Sequence, residues 1–186
     1  MIYLDFRRWI RYTENIKQSQ GEYIMERPDK INYYLDIAET VSRRSTCLRK
    51  HYGAIIVKND VIISTGYNGA PRGRKNCSDI NYCMRDALGI PRGERYEMCR
   101  SVHAEANAII AADRDKMLGS TLYMSCIDPK TGKLTGGVCS CMMCKRLVLN
   151  AGIKDVIVRE TETEYTIYHV ADWIDNDDSL SGKFGY

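Results

Sequence analysis

The stretch Tyr52–Tyr67, YGAIIVKNDVIISTGY, frames the rest of the chain. Tyr52 to Lys58 and Val61 to Tyr67 are β-rich runs, and the turn dipeptide Asn59-Asp60 joins them, so the segment predicts a β-hairpin. Upstream, Ile31, Leu35, Ala38 and Val41 recur at helical spacing and predict an amphipathic helix from about Pro28 to Arg44. Downstream, Gly66, Gly69, Pro71 and Gly73 mark an ordered loop, and residues 76–99 are polar and irregular, reading as an insertion over a site. A helix follows from about His103 to Asp115, then a strand from Leu122 to Cys126. A second helix runs from Cys141 to Asn150 and is stopped by Ala151-Gly152; Lys154 to Arg159 and Tyr165 to Val170 supply two more strands. Strands alternating with helices predict an α/β layered fold.

Two motifs carry the chemistry. His103-Ala104-Glu105 opens the apolar run HAEANAIIAA, and Cys141-Met142-Met143-Cys144 lies 36 residues beyond Glu105. One imidazole and two thiolates make three ligands for zinc, and three ligands leave the fourth tetrahedral position free for water, as catalytic sites require. Two residues apart, His103 and Glu105 are separated by about 200° around a helix, so they suit a first turn in which the carboxylate stands beside the metal and not on it. Cys141 and Cys144, three apart, share one face at a helix start. Two helix N-termini aimed at one ion stabilise its thiolates. Taken singly, C-x-x-C also fits a redox pair or half a zinc knuckle, and H-x-E an ordinary helix start. The combination matches the zinc-deaminase signature, in which glutamate stays outside the coordination sphere and carries protons.

These residues lie in segments that resemble the cytidine and deoxycytidylate deaminase superfamily, and within it the deoxycytidylate (dCMP) deaminases. The similar segments are Arg43 to Cys77 (RRSTCLRKHYGAIIVKNDVIISTGYNGAPRGRKNC), Cys99 to Ile110 (CRSVHAEANAII), Ser120 to Cys126 (STLYMSC) and Cys139 to Val158 (CSCMMCKRLVLNAGIKDVIV). The resemblance covers about residues 27–173, and GYNGAPRG is the part that favours dCMP deaminases. It implies a three-layer fold, a mixed five-stranded sheet with helices on both faces. It implies hydrolytic deamination of dCMP to dUMP and ammonia, with Glu105 catalytic and zinc on His103, Cys141 and Cys144. It further implies that Asn68 bonds the sugar hydroxyl, that the Ala104 backbone reads the base edge, and that Tyr123 packs near the sugar. Family members are commonly hexamers regulated by dCTP and dTTP through the Gly66-Tyr67-Asn68-Gly69 loop and an arginine at the place of Arg114, so a homo-oligomer, hexamer or dimer, is expected.

The chain departs from the pattern at Ser140, where the family has proline; serine can cap the same helix through its hydroxyl. Cys139 adds a spare thiol two residues from Cys141. Cys47, Cys77, Cys83 and Cys99 bracket the loop before HAE, and two readings stand side by side: a second, structural zinc, as in several relatives, or four buried free thiols. A phosphate needs a cation, and Arg72, Arg74 and Arg100 are the candidates.

A chain of 186 residues, 44% hydrophobic, is most simply one domain. We divide it into an extension of unknown role at 1–24, a deaminase domain at 25–174 and an acidic tail at 175–186. Net charge is +3 from 27 basic and 24 acidic residues, too balanced to argue for a nucleic-acid surface. No stretch reads as a membrane span or a signal peptide, and the cytoplasm is the expected address. Besides dCMP deamination, two functions are compatible with the sequence: deamination of another cytosine nucleoside, nucleotide or nucleic-acid base, and a zinc-stabilised binding role without catalysis.

Overall fold

A computed structural model describes residues 27–91 and 93–176. The extension at 1–24 and all but the first two residues of the acidic tail lie outside the described residues. In chain order the elements are α1 (Lys30–Ser42), β1 (His51–Lys58), β2 (Val61–Tyr67), the short turns α2 (Cys77–Ile80) and α3 (Met84–Ala87), and a 3₁₀ turn at Tyr96–Met98. Then come α4 (Ala104–Ile110), α5 (Arg114–Met117), β3 (Thr121–Ile127), α6 (Met142–Ala151), β4 (Asp155–Arg159), β5 (Tyr165–His169) and α7 (Asp172–Asp175). The strands form one mixed sheet of order β2-β1-β3-β4-β5, in which β3 and β4 are parallel and every other pair is antiparallel.

The hairpin closes as the sequence implies. Asn59 and Asp60 both take positive φ, 51° and 62°, the backbone sense that a tight two-residue hairpin turn needs. Helix α1 begins under an Asp29 cap, whose carboxylate accepts from the N–H groups of Ile31 and Asn32.

The period-two alternation of the strands splits the core into two layers. Leu35, Ala38, Ile55, Val57, Tyr123 and Ile157 pack on the α1 face. Ala54, Ile56, Leu122, Met124, Val156 and Val158 pack on the other, against Ala104 and Ala108 of α4 and Val148 and Ala151 of α6. The mixed sheet with helices on both faces is the three-layer fold expected from the sequence.

Two glycines let helices sit directly on the sheet from opposite sides. A Cβ on Gly53 would stand 2.0 Å from the Ala38 carbonyl oxygen of α1. On Gly66 it would stand 2.3 Å from both the Ala104 oxygen and the Ala108 nitrogen of α4. Because the obstacle is helix backbone, no rotamer change relieves it. Gly66→Ala is therefore expected to destabilise the protein by about 3 kcal/mol, at the upper end of overpacking costs, measured as a lower urea midpoint at unchanged slope.

The helix expected to run from His103 to Asp115 is two helices. Helix α4 ends at Ile110 with Ala111 as its cap, and Asp113 is extended, with ψ 134°, before α5 starts. The polar insertion at 76–99 is built from α2, α3 and the 3₁₀ turn, short pieces that carry little periodicity to read.

Candidate metal centre and cleft

Helices α4 and α6 point their N-terminal ends at one spot. His103 is the residue before α4 and Cys141 the residue before α6; both are extended, and neither side chain caps its own helix. The imidazole and thiol are thus free to face the site while the first-turn N–H groups keep their partial positive charge behind them. Cys144, one turn into α6, is 2% exposed. His103 Nδ1 lies 3.4 Å from the sulfurs of both Cys141 and Cys144. The three ligand atoms all fall within 4.8 Å of one another, the only such group among the described residues.

Glu105, in the first turn of α4, is 4% exposed, and burial pushes its carboxyl above the usual range while the His103 charge opposes that rise. The two thiols share one proton. Cys141, receiving the Cys144 hydrogen bond and facing His103, falls to about 4, and Cys144 is held protonated. Burial works against a charge on His103, but hydrogen bonds to Cys141 and Cys99 outweigh it and raise it to about 10. A thiolate against an imidazolium is what a metal-binding donor set looks like with protons in the metal's place: a divalent cation substitutes for those protons. The residues fit zinc in donor type, number and spacing.

The segments beneath the site are tied together. Gly69 and Val102 exchange backbone hydrogen bonds of 3.2 and 2.8 Å, and Asn107 Nδ2 donates to the Tyr67 carbonyl at 2.7 Å. Asn68, 6% exposed, accepts through Oδ1 from Tyr52 N at 2.8 Å and Ser45 Oγ at 2.6 Å, and donates through Nδ2 to the Lys50 oxygen at 2.9 Å. The Gly66–Gly69 loop is thereby a brace between the hairpin and the HAE turn.

A cleft of about 190 Å³ opens over these groups, lined by His103, Ala104, Glu105, Cys141, Asn68 and the insertion. Several residues singled out in the sequence fall elsewhere. Tyr123 lies on the α1 face of the sheet, 5.1 Å ring to ring from Tyr34, because strand alternation sends its neighbours Leu122 and Met124 toward the site and turns Tyr123 away. It does not line the cleft. Arg114 is exposed, its guanidinium bonded to the Asn150 carbonyl. Of the arginines considered for a phosphate, Arg100 lines the cleft; Arg72 and Arg74 are exposed and do not.

Ser140 does not cap α6. It is 4% exposed, its hydroxyl meets Met124 Sδ at 3.6 Å, and it acts on Glu105 from the buried side, pulling the carboxyl's pKa down. Cys47, Cys77, Cys83 and Cys99 all line the cleft, but no three of them bring their sulfurs within 4.8 Å of one another, so this arrangement does not form a closed four-thiolate site. The residues that sequence reading missed are Arg85 and Tyr96. Arg85 covers the Tyr96 ring at 4.4 Å, and Tyr96 meets His103 edge-on at 4.8 Å. They sit in the irregular insertion, where neither motif nor periodicity marks them.

Fold and donor set define an α/β metal-binding protein with a buried carboxyl beside the three donors. Residues 28–160 match the family model described as the cytidine and deoxycytidylate deaminase zinc-binding region. The chain belongs to that family. It is 38% identical over 72% of its length to the deoxycytidylate deaminase of Mycobacterium phage D29, covering 96% of that protein. It is 30% identical over 70% of its length to the deoxycytidylate deaminase of Schizosaccharomyces pombe, of which it spans 37%. Among solved structures it is similar to the dCMP deaminase of cyanophage S-TIM5 in complex with dCMP and dUMP, at 28% identity and a TM-score of 0.48, covering 83% of this chain and 94% of that one.

Proposed function

We propose that the protein deaminates dCMP hydrolytically, giving dUMP and ammonia and so supplying dUMP for thymidylate synthesis. The observation that carries this reading is the convergence of His103, Cys141 and Cys144 with the buried carboxyl of Glu105 in one cleft. The substrate follows from the relatives, since the phage and fission-yeast proteins above are both deoxycytidylate deaminases.

Zinc held by the three donors supplies a Lewis acid that brings the pKa of water toward neutrality and so provides hydroxide at physiological pH. Glu105 would take one proton from the attacking water and deliver it to N3 of the pyrimidine as the water oxygen bonds to C4, then take the remaining proton from the hydroxyl now on C4 and deliver it to the departing amine, so that water and dCMP become dUMP and ammonia. Burial raises its pKa above the usual carboxylate range, which favours a carboxyl that holds a proton before passing it on. In this reading Asn68 would meet the sugar and the Ala104 backbone at the start of α4 the base edge; that both line the cleft supports it.

The wider proposal is a cytoplasmic homo-oligomer regulated by dCTP and dTTP. Ile110, Met143, Leu147 and Ile174 are exposed apolar side chains of the kind an oligomer buries. None of the eight cysteines is in a disulfide, in keeping with a reducing compartment, and no helix among the described residues is long and apolar enough to cross a membrane. The effector part is supported by the brace from the Gly66–Gly69 loop to the HAE turn, through which a nucleotide on the loop would reach the site.

The deciding experiment is ammonia release from dCMP, CMP, deoxycytidine and dCTP, with and without low dCTP as activator. Turnover concentrated on dCMP is the expected result, and stimulation by dCTP would add the regulation. Equal turnover of deoxycytidine would remove the nucleotide part of the reading. No turnover on any of the four by zinc-loaded protein would favour a nucleic-acid substrate or a non-catalytic role.

A further inference from the structure

The proposed chemistry uses α4 and α6 and gives the insertion at 76–99 no part. One piece of that insertion nevertheless reaches the metal centre. Tyr96 opens the 3₁₀ turn and packs its ring on the His103 imidazole, with centroids 4.8 Å apart and planes at 84°. This is the edge-to-face arrangement that aromatic rings prefer. The residue before it, Arg95, takes a positive φ of 45°, a left-handed conformation that a residue with a Cβ adopts only where its surroundings hold it there. The turn is aimed at His103 at the cost of that backbone strain.

Tyr96 is itself backed. The Arg85 guanidinium lies over its ring at 4.4 Å, and Arg85 is 6% exposed, with Nη2 donating to the Pro91 carbonyl at 2.6 Å and the Glu94 carbonyl at 2.8 Å. A chain of contacts thus runs from loop backbone through a fixed guanidinium and a phenol ring to the imidazole. Cys99, whose N–H closes the turn on the Tyr96 carbonyl at 2.9 Å, adds a hydrogen bond to the same imidazole. Residues three apart in a 3₁₀ turn eclipse, so Tyr96 and Cys99 fall on one side of it.

His103 needs such support. It precedes α4 with an extended backbone, its side chain caps nothing, and only Nδ1 faces the two sulfurs. An imidazole held at one nitrogen can still turn about its Cβ–Cγ bond, and the partners around a ligating histidine are what fix its ring orientation. We propose that Tyr96 is a positioning residue for His103, through which the insertion sets the imidazole plane that zinc meets. The inference rests on zinc at the three donors, as the deaminase reading requires, and adds what holds the donor set in shape.

Two measurements read this without substrate: zinc affinity by chelator competition, and the visible d–d bands of the Co²⁺-substituted protein, which report coordination geometry. Tyr96→Leu is expected to weaken zinc binding about 10- to 100-fold, the loss that changes around a ligating histidine cause, and to shift the cobalt bands. Tyr96→Phe keeps the ring and should stay within about threefold of the wild type. Arg85→Met removes only the backing and should fall between the two; it carries the test if Tyr96→Leu does not fold, with the urea midpoint as folding control, and wild-type affinity there would then overturn the inference. Folded Tyr96→Leu with unchanged affinity and unchanged bands would overturn it, whether or not the urea midpoint falls. So would a loss confined to KM for dCMP, which would make Tyr96 a substrate contact, or a loss in Tyr96→Phe equal to that in Tyr96→Leu. Wild-type protein that takes up no zinc would overturn the deaminase reading itself, and this inference with it.

Discussion

Glu105→Gln is expected to lower dCMP turnover by at least about 10²- to 10⁴-fold, the range that a positioned acid–base group contributes, while zinc content stays that of the wild type. The separation of the two readouts is the point of the experiment. Glu105 is not one of the three grouped donors, so an uncharged isostere leaves the ligand set intact. It is also 4% exposed, and burial already raises its carboxyl pKa, so a neutral amide in its place carries a small folding cost. Metal analysis beside a steady-state assay checks both halves. Loss of zinc together with turnover would mean that the carboxylate is a ligand, and the proton-transfer role would have to be abandoned.

Cys144→Ser is expected to produce the opposite pattern, with zinc affinity falling by more than about 100-fold and turnover falling with it. Disturbing even outer-shell partners of a metal costs 10–100-fold, and here a thiolate in the coordination shell is lost. Cys144 is 2% exposed at 3.4 Å from His103 Nδ1, so the replacement also buries a hydroxyl beside the imidazole. Competition with a chromogenic chelator measures the affinity. The wild-type metal count in the same experiment weighs the four thiols of the cleft. One zinc per chain leaves Cys47, Cys77, Cys83 and Cys99 as free thiols, and two would require them to close on an ion from the more open arrangement described here.

Much of this architecture was legible in the residues. The Asn59-Asp60 turn between two β-rich runs, the helical spacing from Ile31 to Val41 and the glycine stop at Gly152 are local signals, and local backbone preference acts on them directly. The donor set was legible for a related reason: H-x-E and C-x-x-C are short enough that the start of one helix fixes each pair's geometry. The break between α4 and α5 was not. HAEANAIIAADRDKM keeps a helix-compatible composition throughout, and only the extended backbone at Asp113 separates the two pieces.

Side-chain roles were less legible than elements. Tyr123 sits in a strand whose alternation is plain, but alternation says only that it and Leu122 face opposite ways, not which face holds the site. Ser140 replaces a proline ahead of a helix and reads as a cap, but its hydroxyl turns inward to Met124. Gly66 and Asn68 read as parts of a nucleotide loop, and both also have structural work: one admits α4 onto the sheet, the other ties the Ser45, Lys50 and Tyr52 segments together.

The sequence by itself determined the α/β class, the hairpin, the two helix starts and the four residues of the candidate metal centre, because each depends on spacings of a few residues. The tertiary structure decided which sheet face carries the site, that Gly53 and Gly66 are contact points for helix backbone, and that Arg85 and Tyr96 belong to the cleft. Those facts depend on segments far apart in the chain meeting at van der Waals distance, and no local preference encodes such a meeting.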